Sequence, residues 1–247
     1  MKNKLLPALF IAFSSLLAFS SCTKKKDLFM GDYSKNYFPL HIGKEIIFDV
    51  DSIYWDDVYD VRTLHHSQMR WVISDTFRDE QSRLSYRIST GIRPNDSAAW
   101  TAHRAIYVTP TETTLEYVEE NMRFVKLIFP ISNGGTWQGN RLMRTDLDED
   151  IAYFNGWNYY YDKFSEPYSN GFAYFDNTVT VNAVNDTIGN PELAPTQYAE
   201  KTFAKEVYAQ GVGMIYREIT RWTYTPGATA TPFRQGYSVV MKALDHN

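Results

Sequence analysis

The sequence predicts an all-β protein: an antiparallel meander forming a strongly curved sheet or an up-and-down barrel or half-barrel. Three observations carry that expectation. Apolar and polar residues alternate with a period of two in run after run, separated by short turn-forming stretches. Eighteen Tyr, fifteen Phe and six Trp suit half-buried sheet positions, one end apolar and the other wet. A single Cys excludes a disulfide framework, so the fold has to rest on a packed core.

The chain opens on something other than a strand. Lys2 and Lys4 precede an apolar run from Leu5 to Phe19, which ends at Ser20-Ser21-Cys22 and then Thr23-Lys24-Lys25-Lys26. The order basic, apolar, small is that of a secretory signal peptide. The run is shorter than the ~20 residues a spanning helix needs. Phe19-Ser20-Ser21-Cys22 resembles the lipobox of bacterial lipoproteins, which implies cleavage after residue 21 and acylation of the Cys22 thiol and amine. A lone free thiol in an oxidising envelope would be a liability. Two or more acyl chains hold a protein firmly where one is marginal, and each lysine beside the lipid adds ~1 kcal/mol of attraction to anionic headgroups. Surface-exported lipoproteins of Bacteroidetes-like bacteria tend to carry acidic residues after the cysteine. Lys24 to Lys26 therefore point to an outer-membrane anchor facing the periplasm. Residues 22–36 read as a lipidated tether and 37–247 as a single β-rich domain, with a subdivision near residue 140 as the alternative.

The strands follow in order. Pro39 and Gly43 mark a turn, and Glu45 to Trp55 alternates Ile46, Phe48 and Val50 against Ile47, Asp49 and Asp51. Ser67 to Phe77 and Arg83 to Ile92 repeat the pattern, the second with one wet face. Ala102 to Thr109 and Thr113 to Glu119 are further strands. Met122 to Ile131 is the most apolar run after the signal and is expected to be buried on both faces. Asn155-Gly156 and Asn170-Gly171 are hairpin signals inside the aromatic stretch Tyr153 to Phe175. Asp176 to Asn185 is a strand. Residues 197–210 read as the one short helix, because Ala199, Phe203 and Val207 recur every four residues before Gly211. Val212 to Tyr224 and Gly236 to Leu244 complete the meander.

Removing residues 1–21 takes away Lys2 and Lys4. The remaining 226 residues hold 23 basic and 29 acidic side chains, a formal charge of −6 against −4 for the full chain. That balance excludes nucleic acid as a partner, since phosphate binding needs a clustered basic face.

Several phrases point to relatives. They are Tyr37-Phe38-Pro39-Leu40 with Gly43, Phe48 and Val50-Asp51-Ser52-Ile53; Arg123-Phe124, Lys126-Leu127 and Phe129-Pro130-Ile131 before Gly135, Trp137 and Gly139-Asn140; and Tyr208-Ala209, Gly211 to Tyr216 and Asp245-His246-Asn247. Together they resemble a family of Bacteroidetes outer-membrane lipoproteins across nearly the whole mature chain. The family usually has an aromatic where Ile46 or Ile47 stands. The resemblance implies location and an antiparallel β fold. It brings no activity, and no catalytic residue is carried over.

Candidate chemistry is sparse. Asp146-Leu147-Asp148-Glu149-Asp150 lacks the mid-loop Gly and closing Glu of an EF-hand, and a solvated acidic turn explains it better. His65 and His66 are adjacent on a strand, so they point to opposite faces, and no metal is expected. Gly-x-Ser-x-Gly, His-Glu-x-x-His and the P-loop are all missing. A glycosidase needs two facing carboxylates, and Asp56, Asp57, Glu119, Glu120 and Glu218 stand out no more than any acidic residue. The most suggestive cluster is aromatic: Trp157, Tyr159, Tyr160, Tyr161, Tyr168, Phe172 and Tyr174. Exposed, these would stack on sugar rings or anchor a protein partner; alternating, half of them would fill the core. The expectation is a lipid-anchored, non-catalytic envelope protein without cofactors, a binding or structural module for an envelope protein or glycan. A periplasmic carrier of an apolar ligand in a half-open barrel is the alternative, and a glycan hydrolase the third reading.

Overall fold

A computed structural model of the chain describes residues 35–56, 61–147, 149–227 and 232–247. The expected signal peptide, Cys22 and the expected tether up to residue 34 lie outside the described residues. So do Asp57 and Asp148.

Among the described residues, twelve strands form one antiparallel sheet. The first half is a meander of β1 (Glu45–Asp56), β2 (Val61–Arg78), β3 (Leu84–Arg93), β4 (Thr101–Pro110), β5 (Thr114–Glu119) and β6 (Met122–Ile128). The second is a meander of β7 (Thr136–Gln138), β8 (Asn158–Ser169), β9 (Tyr174–Ile188), β10 (Ala199–Ala209), β11 (Gly213–Thr225) and β12 (Phe233–His246). They join where β1 pairs with β12, from Ile46 opposite His246 to Trp55 opposite Gly236. Strand order is β6-β5-β4-β3-β2-β1-β12-β11-β10-β9-β8-β7.

The two edges curl round to meet, giving a nearly closed barrel. Val125 N donates to Gly139 O (2.7 Å) and Trp137 Nε1 to Val125 O (2.7 Å). Tyr161 Oη accepts from Ile128 N and donates to Ile128 O, both at 2.8 Å. Gly139 is required at this seam: a Cβ there would run into the Tyr159 ring.

The period of two aims the core inward. Ile46, Phe48 and Val50 on β1 are buried, as are Ile106 and Val108 on β4 and Val179, Val181 and Ala183 on β9. Phe124, Val125, Lys126 and Leu127 are buried consecutively, so β6 is covered on both faces as expected. Tyr37 and Phe38 pack the lower end, where β1 begins and β12 finishes, with Phe38 6.1 Å from Tyr208. The 3-10 helix Glu149–Phe154 covers the upper end.

Two sequence expectations are corrected. Residues 199–209, read as a helix, are strand β10, paired with both β9 and β11. Positions four apart share a face on a strand as well as on a helix, so Ala199, Phe203 and Val207 satisfy both. Asn170-Gly171 does turn β8 into β9, but Asn155-Gly156 instead ends the 3-10 helix, with Asn155 N donating to Ala152 O (3.0 Å).

Candidate functional site

The barrel interior is not filled. A cavity of about 390 Å³ lies between β2, β6, β9, β10, β11, β12 and the 3-10 helix. Its walls are apolar: Met69, Trp71, Phe124, Phe154, Trp157, Val181 and Met241. Ala183 and Ala204 line it where longer side chains would fill the space.

A buried charge network crosses this space from β4–β6 to β10 and β11. Lys126 Nζ lies 2.5 Å from Glu206 Oε1, across 80 residues of sequence. Arg217 Nη1 donates to Glu119 Oε2 (3.1 Å), and its Nε is 3.7 Å from Glu206 Oε1. Arg104 Nη1 reaches Glu119 (3.3 Å) and Glu120 (2.5 Å) at the upper end. Two phenols complete the set: Tyr208 donates to Glu206 (2.5 Å) and Tyr117 to Glu119 (3.1 Å). Lys126 also lies 4.8 Å over the Phe124 ring, a cation–π contact.

Burial pushes the Glu119 and Glu206 carboxyls up, but the cations offset it. Arg217, then Arg104 and Lys126, hold Glu119 below the usual carboxylate range, and Lys126 with Arg217 does the same for Glu206. Burial holds the Lys126 ammonium below its ordinary value despite Glu206. Burial first, then the neighbouring carboxylates, raises the Tyr117 and Tyr208 phenols well above theirs. Both glutamates are therefore ionised at neutral pH. They share Arg217 and both line the cavity, so the fold brings two carboxylates together that the sequence leaves 87 positions apart.

The structure divides the aromatic cluster. Trp157, Tyr159 and Tyr161 are buried, because alternate residues of β8 point inward. That corrects their assignment to a binding surface, although Trp157 and Tyr159 line the cavity. Tyr160, Phe172 and Tyr174 are exposed. Tyr160 pairs with Asn182 while Tyr174 begins β9, and the eight intervening residues separate them by roughly 25 Å at ~3.3 Å each. Tyr168 stacks edge-on with Tyr216 (5.8 Å) under Lys205. These four do not form one surface.

Elsewhere, His66 Nδ1 lies 2.9 Å from Asp51 and its Nε2 3.4 Å from Asp49. The β1–β2 register sets His66 opposite Asp51, a meeting the sequence alone does not show. Both ring nitrogens are engaged, and the Asp51 hydrogen bond above all raises the imidazole pKa. Three potential metal-ligand atoms thus lie within 4.8 Å of one another, already satisfied as an ion pair. Asp146 is paired with Arg144 (3.1 Å). Among the described residues no helix is long and apolar enough to cross a membrane.

Sequence reasoning missed Lys126, Glu206, Arg217 and Arg104. A visible pointer was the spacing Tyr-x-Glu or Glu-x-Tyr, which puts both side chains on one strand face. It recurs at Tyr117/Glu119, Tyr198/Glu200, Glu206/Tyr208 and Tyr216/Glu218, each with the phenol donating to the carboxylate.

No family model matches the chain, and no curated protein matches it. Among solved structures, a Bacteroides fragilis NCTC 9343 protein with a YmcC-like fold aligns over 85% of this chain and 98% of its own, at 12% identity and a TM-score of 0.38. Similarity at that level says nothing about what this chain does.

Proposed function

We propose that the chain is a lipid-anchored, non-catalytic envelope protein that holds an apolar or amphiphilic small ligand inside its barrel. The observation that supports this reading is the cavity of about 390 Å³, within the ~300–1,000 Å³ of small-molecule sites. At ~30 Å³ per water-sized group it takes roughly a dozen of them. Apolar walls suit a hydrocarbon, and the ion pairs that cross the interior suit a polar head. Leu in place of Ala183 or Ala204 would bury more apolar surface, at ~0.8 kcal/mol per CH₂, yet both positions are Ala. The module reading, in which an exposed aromatic surface grips a glycan or envelope protein, has less support, because its aromatics do not converge. The anchor is acylated Cys22, and the lysines after it favour the periplasmic face of the outer membrane.

The test is native mass spectrometry of protein purified without detergent, followed by calorimetric titration with octanoic acid as a fatty-acid probe, whose roughly ten non-hydrogen atoms suit the cavity's volume. Bound lipid mass, or saturable uptake of the probe, is expected. Ala204→Leu should abolish uptake with a stability change of no more than about 1–3 kcal/mol, the usual range for an added methylene group or two. A chain with neither bound mass nor uptake does not carry an apolar ligand.

A further inference from the structure

The lower end of the barrel gathers exposed apolar side chains around the point where the tether joins the domain. Ile42 is 62% exposed, Phe172 51%, Tyr174 66% and Leu244 38%. Side-chain and backbone bonds tie their segments together. Asn247 Nδ2 donates to Gly43 O (2.8 Å), next to Ile42. Asn170 Nδ2 donates to Ala243 O (2.8 Å), joining the Phe172 turn to the Leu244 strand. The Phe175 and His246 rings lie 6.1 Å apart. The tether arrives at the same end, where Gly211 N donates to Asn36 O (2.8 Å).

The chain outside the structure limits which end can face a bilayer. From Cys22 to Lys35 there are thirteen residues, which span at most ~45 Å in any conformation. Strand β1 alone, with twelve residues at ~3.3 Å each and the ~35–45° tilt of barrel strands, rises about 30 Å from the lower to the upper end. Presenting the upper end would require most of the tether to lie stretched along the barrel wall. Presenting the lower end requires nothing of it. Lys24, Lys25 and Lys26 lie within that tether and favour an anionic lipid surface.

We propose that the lower end, with Ile42, Phe172, Tyr174 and Leu244 at its rim, rests on the lipid surface that anchors Cys22. The proposal depends on the acylation of Cys22 proposed above. Aromatic and aliphatic residues at such a rim sit at headgroup level, where amphipathic rings are favoured. The cavity's upper end, with Arg104 and Glu120, then faces away from the bilayer. Ligand exchanges with the aqueous side or a second carrier, not with the anchoring leaflet.

Cys22 is the only cysteine, so single-cysteine labelling tests the orientation. Full chains carrying Ile42→Cys, Phe172→Cys or Leu64→Cys are produced in a lipoprotein-processing bacterium. They are labelled with a polarity-sensitive dye and reconstituted into vesicles of zwitterionic and anionic phospholipid with brominated acyl chains. Dyes at 42 and 172 should be quenched about twofold or more, as expected for groups buried some 5–10 Å into the headgroup region, and the dye at 64, on the upper half of β2, should not. All three positions are exposed in the folded chain, and circular dichroism checks that each variant folds. Acylated protein with unquenched dyes at 42 and 172, or quenched only at 64, overturns the orientation alone. A wild-type chain whose Cys22 itself takes the dye removes the anchor, and the proposal with it.

Discussion

Lys126 sits buried among Phe124, Val125 and Leu127 of β6, and Glu206 is its charge partner there. A buried ion pair gains little net stability, but removing one member strands the other charge, at ~3–5 kcal/mol. Lys126→Met leaves Glu206 only the longer Arg217 contact (3.7 Å) and the Tyr208 hydroxyl, so the urea midpoint should fall, by less than a fully stranded charge would cost. Adding Glu206→Gln should recover most of the loss, since no unpaired ion then remains. A double variant as unstable as Lys126→Met alone would show that the pair does not couple. The same carboxylates set the acid limit. Burial raises the Glu119 and Glu206 pKa values, but their cations lower them further, so both end below an unfolded glutamate at ~4.3. A depressed pKa contributes stability that is complete above the unfolded value and disappears as pH falls through the folded one. Stability measured by urea unfolding should hold from neutrality to about pH 5 and fall below it. Glu206→Gln, weaker at neutral pH, should show a shallower acid decline.

At the scale of elements, Asn170 holds the β8–β9 hairpin to the barrel. Its amide nitrogen donates to Ile215 O (3.2 Å) and Ala243 O (2.8 Å), carbonyls at the end of β11 and β12 where their pairing has ended. Its oxygen accepts from Phe172 N and Ala173 N, both at 2.9 Å. Asn170→Leu leaves all four backbone groups without that partner. With each buried loss at ~1–3 kcal/mol and two of the groups near solvent, a destabilisation of about 3 kcal/mol is expected by denaturant unfolding. Hydrogen exchange should quicken first at the hairpin. Asn-Gly is visible in the sequence as a turn, but nothing local reveals that its side chain reaches two other strands. The same limit explains the rest of what was legible. Strands with one wet face, such as β1 and β3, were readable because alternation is local. β10 was not: Glu206, Val207, Tyr208 and Ala209 are buried in succession, so no wet face marks the period. The cavity residues come from nine strands, and pairing Lys126 with Glu206 needs the sheet order. That order turns on the pairing of β1 with β12, and the closure that brings β6 toward β10 on the seam at Gly139 and Tyr161, neither of which is a pattern along the chain.

For the whole molecule, the proposed anchor and the cavity are separable, and Cys22 is where they would come apart. The domain begins packing at Tyr37 and Phe38, fifteen residues beyond Cys22. Cys22→Ser should therefore leave the fold and the ligand cavity intact. Membrane affinity should collapse, because acyl chains supply ~0.8 kcal/mol per buried CH₂. The three lysines supply only a few kcal/mol, which salt screens. The rim at the lower end cannot replace the lipid either, since four partly exposed side chains bury far less than one acyl chain does. Wild-type protein should stay in the membrane pellet through a high-salt wash. The variant should appear in the soluble periplasmic fraction, or remain as an unprocessed precursor held by its uncut signal. The soluble form should still take up the fatty-acid probe, as its cavity lies at the other end of the strands. Mature-sized Cys22→Ser protein that pellets at high salt would refute the lipid anchor. Released protein that no longer binds the probe would show that the bilayer, and not the barrel alone, shapes the site.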